Sequence, residues 1–298
     1  MTRTLALVLL LFAVGRQSVS ADDVSETYFL WPDTAAGQSA SEIGRILPAR
    51  ENEDPPAIRI TDIEHPFIKR FDPDSSQKNG TSVLILPGGG YNYDVVGKEG
   101  AEVAEWFNSK GVTAFVLYYR SPTRKLEQDW LMPVQDTQRA IRWIRSHAKE
   151  WGLDPQRVGS IGFSAGGNAV AIASTKMDVE NRFEKQDEID KASARPDFTM
   201  LIYPWKLLNA DESGLRAEVV VDKQTSPTFL IHAHNDAVTS LSSVEYYKAM
   251  KKLGLPAELH IFESGGHGYG LRKVEGANVH TWPDKAEAWM RGRGLLKE

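Results

Sequence analysis

Residues 158–172 read VGSIGFSAGGNAVAI, which is an apolar strand, a sharp turn and a helix of small residues. Ser164 lies at the apex of the turn in a Gly-x-Ser-x-Gly pattern, with Gly162 and Gly166 on either side. A serine hydroxyl is a poor nucleophile at neutral pH, so it needs a base beside it and an exposed position. Glycines around the turn let two backbone segments approach each other and expose the hydroxyl. The stretch predicts a nucleophilic Ser164, and an ordinary glycine-rich turn is the alternative.

Strands and helices alternate regularly from residue 81 onward. Apolar runs predict strands at residues 82–86, 113–119, 158–163, 198–203, 228–233 and 258–262. Amphipathic periodicity predicts helices at residues 99–110, 134–151, 242–252 and 283–293, besides the helix after Ser164. This alternation indicates an α/β fold, in which helices cover both faces of a mostly parallel sheet. Functional residues in such folds lie at the carboxyl ends of the strands.

Three segments are expected along the chain. Residues 1–21 resemble a secretory signal, because Arg3 precedes an apolar run at 5–14 that is too short to span a bilayer. Small residues at 19–21 favour cleavage after Ala21 and a secreted or periplasmic protein, and an uncleaved anchor is the alternative. Residues 22–80 are predicted to form an extended N-terminal arm and the first strands, including one at 58–63. They belong to the same domain as the catalytic part, residues 81–298.

The composition is that of an ordinary soluble globular protein, with 41% hydrophobic and 25% charged residues. The formal net charge is −5, and loss of Arg3 and Arg16 with the signal would make it −7. No basic run is present, so nucleic acid is not expected as a partner, and no membrane association is expected after signal cleavage. The absence of cysteine excludes disulfides, thiolate catalysis and cysteine-based zinc sites. The sequence does not indicate an oligomeric state.

Two later loops supply the partners that Ser164 needs. His267 lies in the sequence GGHG after the strand at 258–262, and the pKa of an ordinary imidazole, about 6.5, suits a general base. Asp236 follows the strand at 228–233 and would orient the imidazole. The order Ser, acid, His is typical of α/β-hydrolases. Weaker candidates for the acid lie in a region with little strand signal: Asp211, Glu212 and Asp222.

A metal site is the alternative interpretation of the segment that contains Asp236. His232 and His234 alternate with other residues just before it. One of the two is expected to pack against the sheet, and no second carboxylate is evident nearby. We therefore expect no metal and no cofactor.

The loop PGGGY at residues 87–91 follows the strand at 82–86 and is the candidate oxyanion hole. Glycines leave backbone N–H groups free to point at a developing negative charge. Gly89, Gly90 and the N–H of Ala165, the residue after the nucleophile, are the expected donors. A phosphate-binding loop is the alternative, but no Gly-Lys-Ser/Thr or Gly-x-Gly-x-x-Gly pattern is present.

With these motifs, the chain resembles the α/β-hydrolases of the acetylxylan-esterase and feruloyl-esterase-like (BD-FAE-like) branch, which is often grouped with hormone-sensitive-lipase-like esterases. The resemblance covers nearly the whole mature chain and rests on PGGGY (87–91), EG (99–100), YR (119–120), DTQRAI (136–141), GFSAGG (162–167) and GGHG (265–268). It implies an α/β-hydrolase fold and a triad of Ser164, Asp236 and His267. Asp136 and Arg139 are expected to be a buried or half-buried polar pair with a structural role. The chain departs from the family pattern at Asn168, where a histidine is usual.

The resemblance also implies a secreted serine carboxylesterase that acts on acylated carbohydrate. An acetylated polysaccharide or oligosaccharide is the favoured substrate. Tyr91 and Trp205 are candidate contacts for sugar rings, with core packing as the alternative. A feruloyl or general short-chain esterase, a prolyl-oligopeptidase-like peptidase and a non-catalytic binding protein are the other interpretations. A xylanase is not expected, because no pair of glycosidase carboxylates is evident.

Overall fold

The computed structural model describes residues 27–31, 43–51, 53–177, 179 and 187–297. The predicted signal segment, residues 1–21, lies outside them. The described strands are β1 (Thr27–Phe29), β2 (Arg45–Ile46), β3 (Ile60–Thr61), β4 (Phe67–Phe71), β5 (Ser82–Leu86), β6 (Thr113–Tyr118), β7 (Val158–Phe163), β8 (Thr199–Ile202), β9 (Thr228–Ala233) and β10 (Ala257–Phe262). The α-helices are α1 (Glu102–Asn108), α2 (Leu131–His147), α3 (Ala165–Thr175), α4 (Leu241–Lys252) and α5 (Trp282–Gly292).

Eight of the described strands form one sheet in the order β1-β4-β6-β5-β7-β8-β9-β10. The six strands from β6 to β10 in that order are parallel, and β1 and β4 extend the sheet in antiparallel fashion. β2 and β3 form a separate two-stranded ribbon. The predicted mostly parallel sheet is therefore confirmed. β7 lies inside the sheet, so the strand that leads to Ser164 is paired on both sides.

The continuous apolar strands are explained by burial on both faces of the sheet. Leu84 and Leu86 of β5 pack into one core, with helices α2, α3 and α4. Val83 and Ile85, the intervening residues, pack into the core on the other face, with α1 and α5. Side chains of successive strand residues point to opposite faces, so a strand buried on both faces is apolar at most of its positions.

Two strands of the main sheet were not predicted. β4 reads FIKRF, in which Lys69 and Arg70 interrupt the apolar run, and β1 is three residues long. Both lie on the antiparallel side of the sheet, where a strand need not be apolar throughout. Only part of the predicted strand at 58–63 forms, as β3. The division into a signal, an N-terminal arm and a catalytic part stays a prediction.

The predicted helices are present with shifted ends. α2 begins at Leu131 instead of residue 134, because Pro133 lies in its first turn, where a missing N–H is tolerated. It ends at His147, and turn residues lead to Gly152, which has a φ of 68°. The predicted helix at 99–110 is a π-helical turn (Gly97–Ala101) followed by α1. No helix in the described ranges is long and apolar enough to cross a membrane.

The expected polar pair on α2 is buried, but its members contact different partners. Asp136 accepts hydrogen bonds from the side chain of Arg120 and from the Trp31 indole. Arg139 forms a bidentate pair with Asp187, at 2.7 and 2.6 Å. The prediction of a structural role fits these contacts, whereas the pairing of the two residues with each other is wrong.

Candidate active site

Ser164 lies in a strained turn between β7 and α3. Its φ is 52° and its ψ −115°, a sparsely populated conformation that costs about 1–3 kcal/mol for a residue with a side chain. The surrounding backbone holds this conformation. The Ser164 N–H donates to the carbonyl of Ile202, and the Ser164 carbonyl accepts from the N–H groups of Asn168 and Trp205, at 3.1, 3.0 and 2.9 Å. The turn thus fixes the direction of the hydroxyl.

The glycines beside Ser164 are required by close backbone contacts. A Cβ at Gly162 would collide with the carbonyl of Gly166, and a Cβ at Gly166 would collide with the carbonyl of Leu86. The Gly-x-Ser-x-Gly pattern therefore lets the start of α3 pack directly against the end of β5. This packing brings Ser164 next to the PGGGY loop, which follows β5.

Ser164, His267 and Asp236 are connected by hydrogen bonds. His267 Nε2 lies 2.7 Å from Ser164 Oγ, and His267 Nδ1 lies 2.8 Å from Asp236 Oδ2. His267 is 31 positions from Asp236 and 103 positions from Ser164 in the sequence. The three residues meet because β7, β9 and β10 end at the same edge of the sheet. The imidazole is 30% exposed, whereas the Asp236 side chain is fully buried. The structure therefore brings the three predicted residues together in the order that base-assisted attack by a serine requires.

Asp236 has two further partners that the sequence did not reveal. The N–H of Val238 donates to Oδ1 at 2.7 Å, and Nε2 of the buried His232 lies 3.3 Å from Oδ2. His232 Nε2 also lies 2.9 Å from the Val238 carbonyl, which can only accept, so Nε2 carries the hydrogen. Burial alone would raise the pKa of Asp236, but the hydrogen bonds from His232 and His267 outweigh burial and hold that pKa below its ordinary value. Asp236 is thus an anion at neutral pH.

The loops that carry the acid and the histidine are tied to each other by Asn235. Its Oδ1 accepts the N–H groups of Gly265 and Gly266 at 3.0 and 2.9 Å. These two bonds fix the glycine-rich segment just before His267. The imidazole is therefore held in place by its backbone as well as by Asp236.

The predicted oxyanion donors are three backbone N–H groups on the loops around Ser164. Among the described residues, no hydrogen bond is found for the N–H of Gly89, Gly90 or Ala165. Gly89 and Gly90 line the same cleft as Ser164. Gly89 has a φ of 138°, and a Cβ there would collide with the carbonyl of Tyr93, so only glycine fits. Unpaired N–H groups in a fixed loop are suited to bind a developing oxyanion.

The neighbouring N–H, of Gly88, is already occupied. It donates to Oε2 of Glu99 at 2.7 Å. Glu99 is 3% exposed and lies in the π-helical turn. Its other oxygen accepts the Tyr203 hydroxyl at 2.8 Å, and Tyr203 in turn accepts the N–H of Gly270 at 2.9 Å. Glu99 therefore connects the PGGGY loop with the segment after His267.

The two predicted sugar contacts have different positions. Tyr91 is fully buried, and its hydroxyl donates to Asn168 at 2.8 Å, so a direct contact with substrate is wrong for Tyr91. Asn168, the departure from the family pattern, also donates to the Lys206 carbonyl at 3.0 Å. Trp205 does line the cleft, but the guanidinium of Arg124 lies 4.3 Å from its ring centroid. A sugar contact of Trp205 stays a prediction.

The rival acids do not line the cleft at Ser164, and the two histidines before Asp236 differ in burial. Asp211 and Glu212 lie in an exposed loop, and Asp222 lines a different cleft, next to Thr175. Within the described ranges, no group of three or more His, Cys, Asp and Glu side chains is arranged to hold a metal ion. His232 is engaged with Asp236, whereas His234 is exposed.

Comparison with known proteins gives one family model and several relatives. The model described as BD-FAE matches residues 71–202, a range that includes Ser164 but ends before Asp236 and His267. The acetylxylan esterase of Xylanibacter ruminicola is 29% identical over 217 residues, 65% of this chain and 42% of that protein. Endo-1,4-beta-xylanase B of Butyrivibrio fibrisolvens is 27% identical over 212 residues, 65% of this chain and 33% of that protein. The chain thus spans less than half the length of these two curated relatives.

A solved structure matches over a larger part of the chain. The acetyl ester-xyloside bifunctional hydrolase from Caldicellulosiruptor lactoaceticus is 31% identical and superposes with a TM-score of 0.68. The match covers 87% of this chain and the whole of that chain. Together with the sheet order, it confirms the predicted α/β-hydrolase fold.

Proposed function

The chain belongs to the BD-FAE family of α/β-hydrolases, and we propose that it is a serine carboxylesterase that removes acyl groups, acetyl above all, from a polysaccharide or oligosaccharide such as acetylated xylan. The observation that carries the proposal is the hydrogen-bonded series Ser164–His267–Asp236 beside unpaired backbone N–H groups. Two relatives, an acetylxylan esterase and an acetyl ester-xyloside hydrolase, support acetyl as the acyl group and xylan as the polymer.

In the proposed reaction, His267 Nε2 removes the proton of Ser164 as Oγ attacks the ester carbonyl. Asp236 holds Nδ1–H and stabilises the imidazolium. The oxyanion is bound by the N–H groups of Ala165 and of Gly89 or Gly90. Collapse releases the sugar hydroxyl, protonated by His267, and leaves an acyl-enzyme. A water molecule, deprotonated by the same imidazole, hydrolyses this ester and regenerates Ser164.

Hydrolysis of glycosidic bonds is not part of the proposal, although the names of two relatives include a xylanase and a xyloside hydrolase. A glycosidase usually needs two carboxyl groups on either side of the scissile bond. Among the described residues that line the cleft, Glu99 is the only one with a carboxylate. Both oxygens of Glu99 accept hydrogen bonds from the protein, whereas a glycosidase needs a second carboxyl group. The cleft is therefore suited to ester cleavage.

Secretion is also proposed, and it rests on the sequence of residues 1–21. A secreted or periplasmic enzyme would meet polysaccharide outside the cytoplasm. Amino-terminal sequencing of the exported protein tests this part. A mature protein that begins at Asp22 is the expected result, and a protein that is retained in the cytoplasm with residues 1–21 would contradict it.

The experiment for the activity compares the wild-type protein with Ser164→Ala on acetylated xylan, methyl ferulate and p-nitrophenyl acetate. We expect acetate release by the wild type and a loss of about 10⁴ or more in kcat for Ser164→Ala. Ser146→Ala, an exposed position on α2, is the matched control and should keep full activity. A fluorophosphonate probe should label the wild type and the control but not Ser164→Ala. A folded Ser164→Ala protein with a normal rate would overturn the proposal.

A further inference from the structure

The cleft that contains Ser164 is rich in cations, although the whole chain has a net charge of −5. It has a volume of about 380 Å³. Its cationic lining residues are Arg50, Arg59, Lys98 and Arg124. Glu99 is the carboxylate among the described lining residues, and Glu53 lies against two of the cations. The cations outnumber the carboxylates even when both glutamates are ionised.

Two of these cations, Arg50 and Arg124, form no ion pair with a carboxylate in the part of the chain that the structure describes. Arg50 donates to the hydroxyl of Tyr93 at 2.7 Å, and Arg124 donates to the carbonyl of Gly90 at 3.1 Å. Both acceptors are neutral. A guanidinium has five N–H donors, so each arginine keeps several donors for a ligand. Both residues are exposed, so an incoming substrate can reach them.

Neighbouring groups orient the Arg124 guanidinium. Besides its bond to Gly90, it lies over the Trp205 ring, at 4.3 Å from Cζ to the centroid. Stacking on an aromatic ring and a hydrogen bond to a loop carbonyl together limit the rotation of a long side chain, which lowers the entropy lost on binding. The orientation of the Arg124 guanidinium is thus preorganised for binding a ligand.

The other two cations add positive potential without being free. Arg59 and Lys98 both contact Glu53, at 2.6 and 3.1 Å. Burial alone would raise the pKa of Glu53, but the hydrogen bonds from Arg59 and Lys98 outweigh it and lower that pKa to about 2. This cluster of two cations and one anion therefore carries a net positive charge.

We propose that this cleft selects an anionic glycan, in which the esterified sugar or its neighbour carries a carboxylate or sulfate group that Arg124 and Arg50 bind. The inference rests on the proposed esterase function and names the substrate class. The planar fork of arginine matches the oxygens of such groups. Arg124 contacts Gly90, a predicted oxyanion donor, so the bound anion lies within about one sugar unit of the scissile ester.

A purely structural role of Arg124, as a support for the Gly90 loop, is the alternative. Loss of such a support would slow the cleavage of neutral and acidic esters by the same factor. Loss of an anion-binding group would raise KM for acidic substrates above all. The ratio of kcat/KM for acidic to kcat/KM for neutral substrates therefore distinguishes anion binding from structural support.

The experiment uses matched acetylated xylo-oligosaccharides that are neutral, that carry one uronic acid, or that carry one sulfate group. We expect kcat/KM to be about tenfold higher for an acidic substrate than for the neutral one at low salt. This advantage should shrink in 0.5 M salt, because screening shortens electrostatic interactions to less than about 8 Å. The two acidic substrates distinguish a carboxylate from a sulfate as the preferred group.

The variants Arg124→Gln and Arg50→Gln should lower the acidic-to-neutral ratio towards one, through KM. Lys125→Gln removes an exposed cation outside the cleft and should keep the wild-type ratio. Hydrolysis of all three substrates with a wild-type ratio of one would overturn the anionic subsite and leave the esterase function intact. An unchanged advantage in the double variant Arg50→Gln/Arg124→Gln would overturn it as well. No acetate release from any substrate would instead contradict the proposed function.

Discussion

The hydroxyl of Tyr203 donates a hydrogen bond to the carboxylate of Glu99 over 2.8 Å, although the two residues are 104 positions apart. Both side chains are buried. Glu99 also accepts the N–H of Gly88 in the PGGGY loop, and Tyr203 accepts the N–H of Gly270. The pair therefore joins the loop of the proposed oxyanion donors to the loop of the proposed general base, so that both keep a fixed position relative to Ser164.

This relationship predicts the behaviour of Tyr203→Phe. The change leaves the Glu99 carboxylate without one donor and the N–H of Gly270 without its acceptor, and each buried unsatisfied group costs about 1–3 kcal/mol. We expect a lower free energy of unfolding and a fall in kcat of about tenfold, which is roughly the effect of 1.4 kcal/mol on the barrier. Denaturant unfolding and steady-state kinetics on p-nitrophenyl acetate measure the two effects.

Tyr269→Phe is the matched control for that prediction. Tyr269 is also buried and packs against Tyr203, but no hydrogen-bond partner of its hydroxyl is found among the described residues. Its removal should therefore cost little stability and little activity. Equal losses in the two variants would show that the Glu99–Tyr203 bond has no special role.

Asp236→Asn should lower kcat by several orders of magnitude. An amide can neither hold the useful tautomer of His267 nor stabilise the imidazolium, and the corresponding change in serine proteases costs about 10⁴. Asp211→Asn and Asp222→Asn are the matched controls, because neither residue lines the cleft that contains Ser164. Initial rates on p-nitrophenyl acetate decide between them, and an inactive Asp222→Asn beside an active Asp236→Asn would contradict the assignment of the acid.

The sequence predicted the parallel part of the sheet because most positions of its strands are apolar. SVLIL (82–86) and TFLIHA (228–233) match β5 and β9 at both ends. β4 was missed because FIKRF contains two cations and because the edge side of a sheet needs no continuous apolar run. The positions of Ser164, Asp236 and His267 at strand ends could be predicted from the order of strands and loops alone.

The contacts around these three residues could not be predicted in the same way. The Glu99–Tyr203 bond, and the placement of His232 against Asp236, depend on side-chain directions that no periodicity encodes. Tyr91 illustrates the same limit. A tyrosine after a glycine loop can point into the cleft or into the core, and its positive φ of 60° with a bond to Asn168 directs it into the core.

Glu53→Gln tests the ion pairs that Glu53 forms with Arg59 and Lys98. The pKa of Glu53 is lowered from its ordinary value of 4.5 to about 2 in the folded protein, so its carboxylate stabilises the fold above pH 4.5. This stabilisation is lost as the pH falls from 4.5 towards 2. We expect Glu53→Gln to lower the free energy of unfolding by about 1–2 kcal/mol at pH 7, after allowance for solvent screening.

The difference between wild type and Glu53→Gln should shrink as the pH of a urea unfolding series is lowered from 7 to 3. Glu64→Gln replaces an exposed glutamate and is the control, whose free energy of unfolding should stay close to that of the wild type. A Glu53→Gln effect that is independent of pH would show that the carboxylate charge does not contribute.

The polar lining of the cleft limits the length of the acyl group that the protein cleaves well. We expect faster cleavage of acetyl than of long-chain esters, without interfacial activation. A long acyl chain gains about 0.8 kcal/mol for each CH₂ only where it is buried against apolar surface. The cleft of about 380 Å³ is lined by charged and polar groups as much as by apolar ones. None of the described large hydrophobic residues that are exposed on the surface lines it, so the described part of the chain offers no apolar patch at the cleft for a lipid interface.

The measurement is kcat/KM for p-nitrophenyl acetate, octanoate and palmitate, below and above the concentration at which the long ester forms micelles. A fall from acetate to palmitate, with no rise in rate at the micellar transition, is expected, because a small acyl group fits beside Ser164 without apolar contacts. Val95 is an apolar lining residue of the cleft, and Val95→Ala offers a way to test the acyl pocket. Enlargement of the pocket at this position should raise the octanoate rate relative to the acetate rate. A maximum at palmitate in the wild type would contradict a small acyl pocket and, with it, the preference for acetyl.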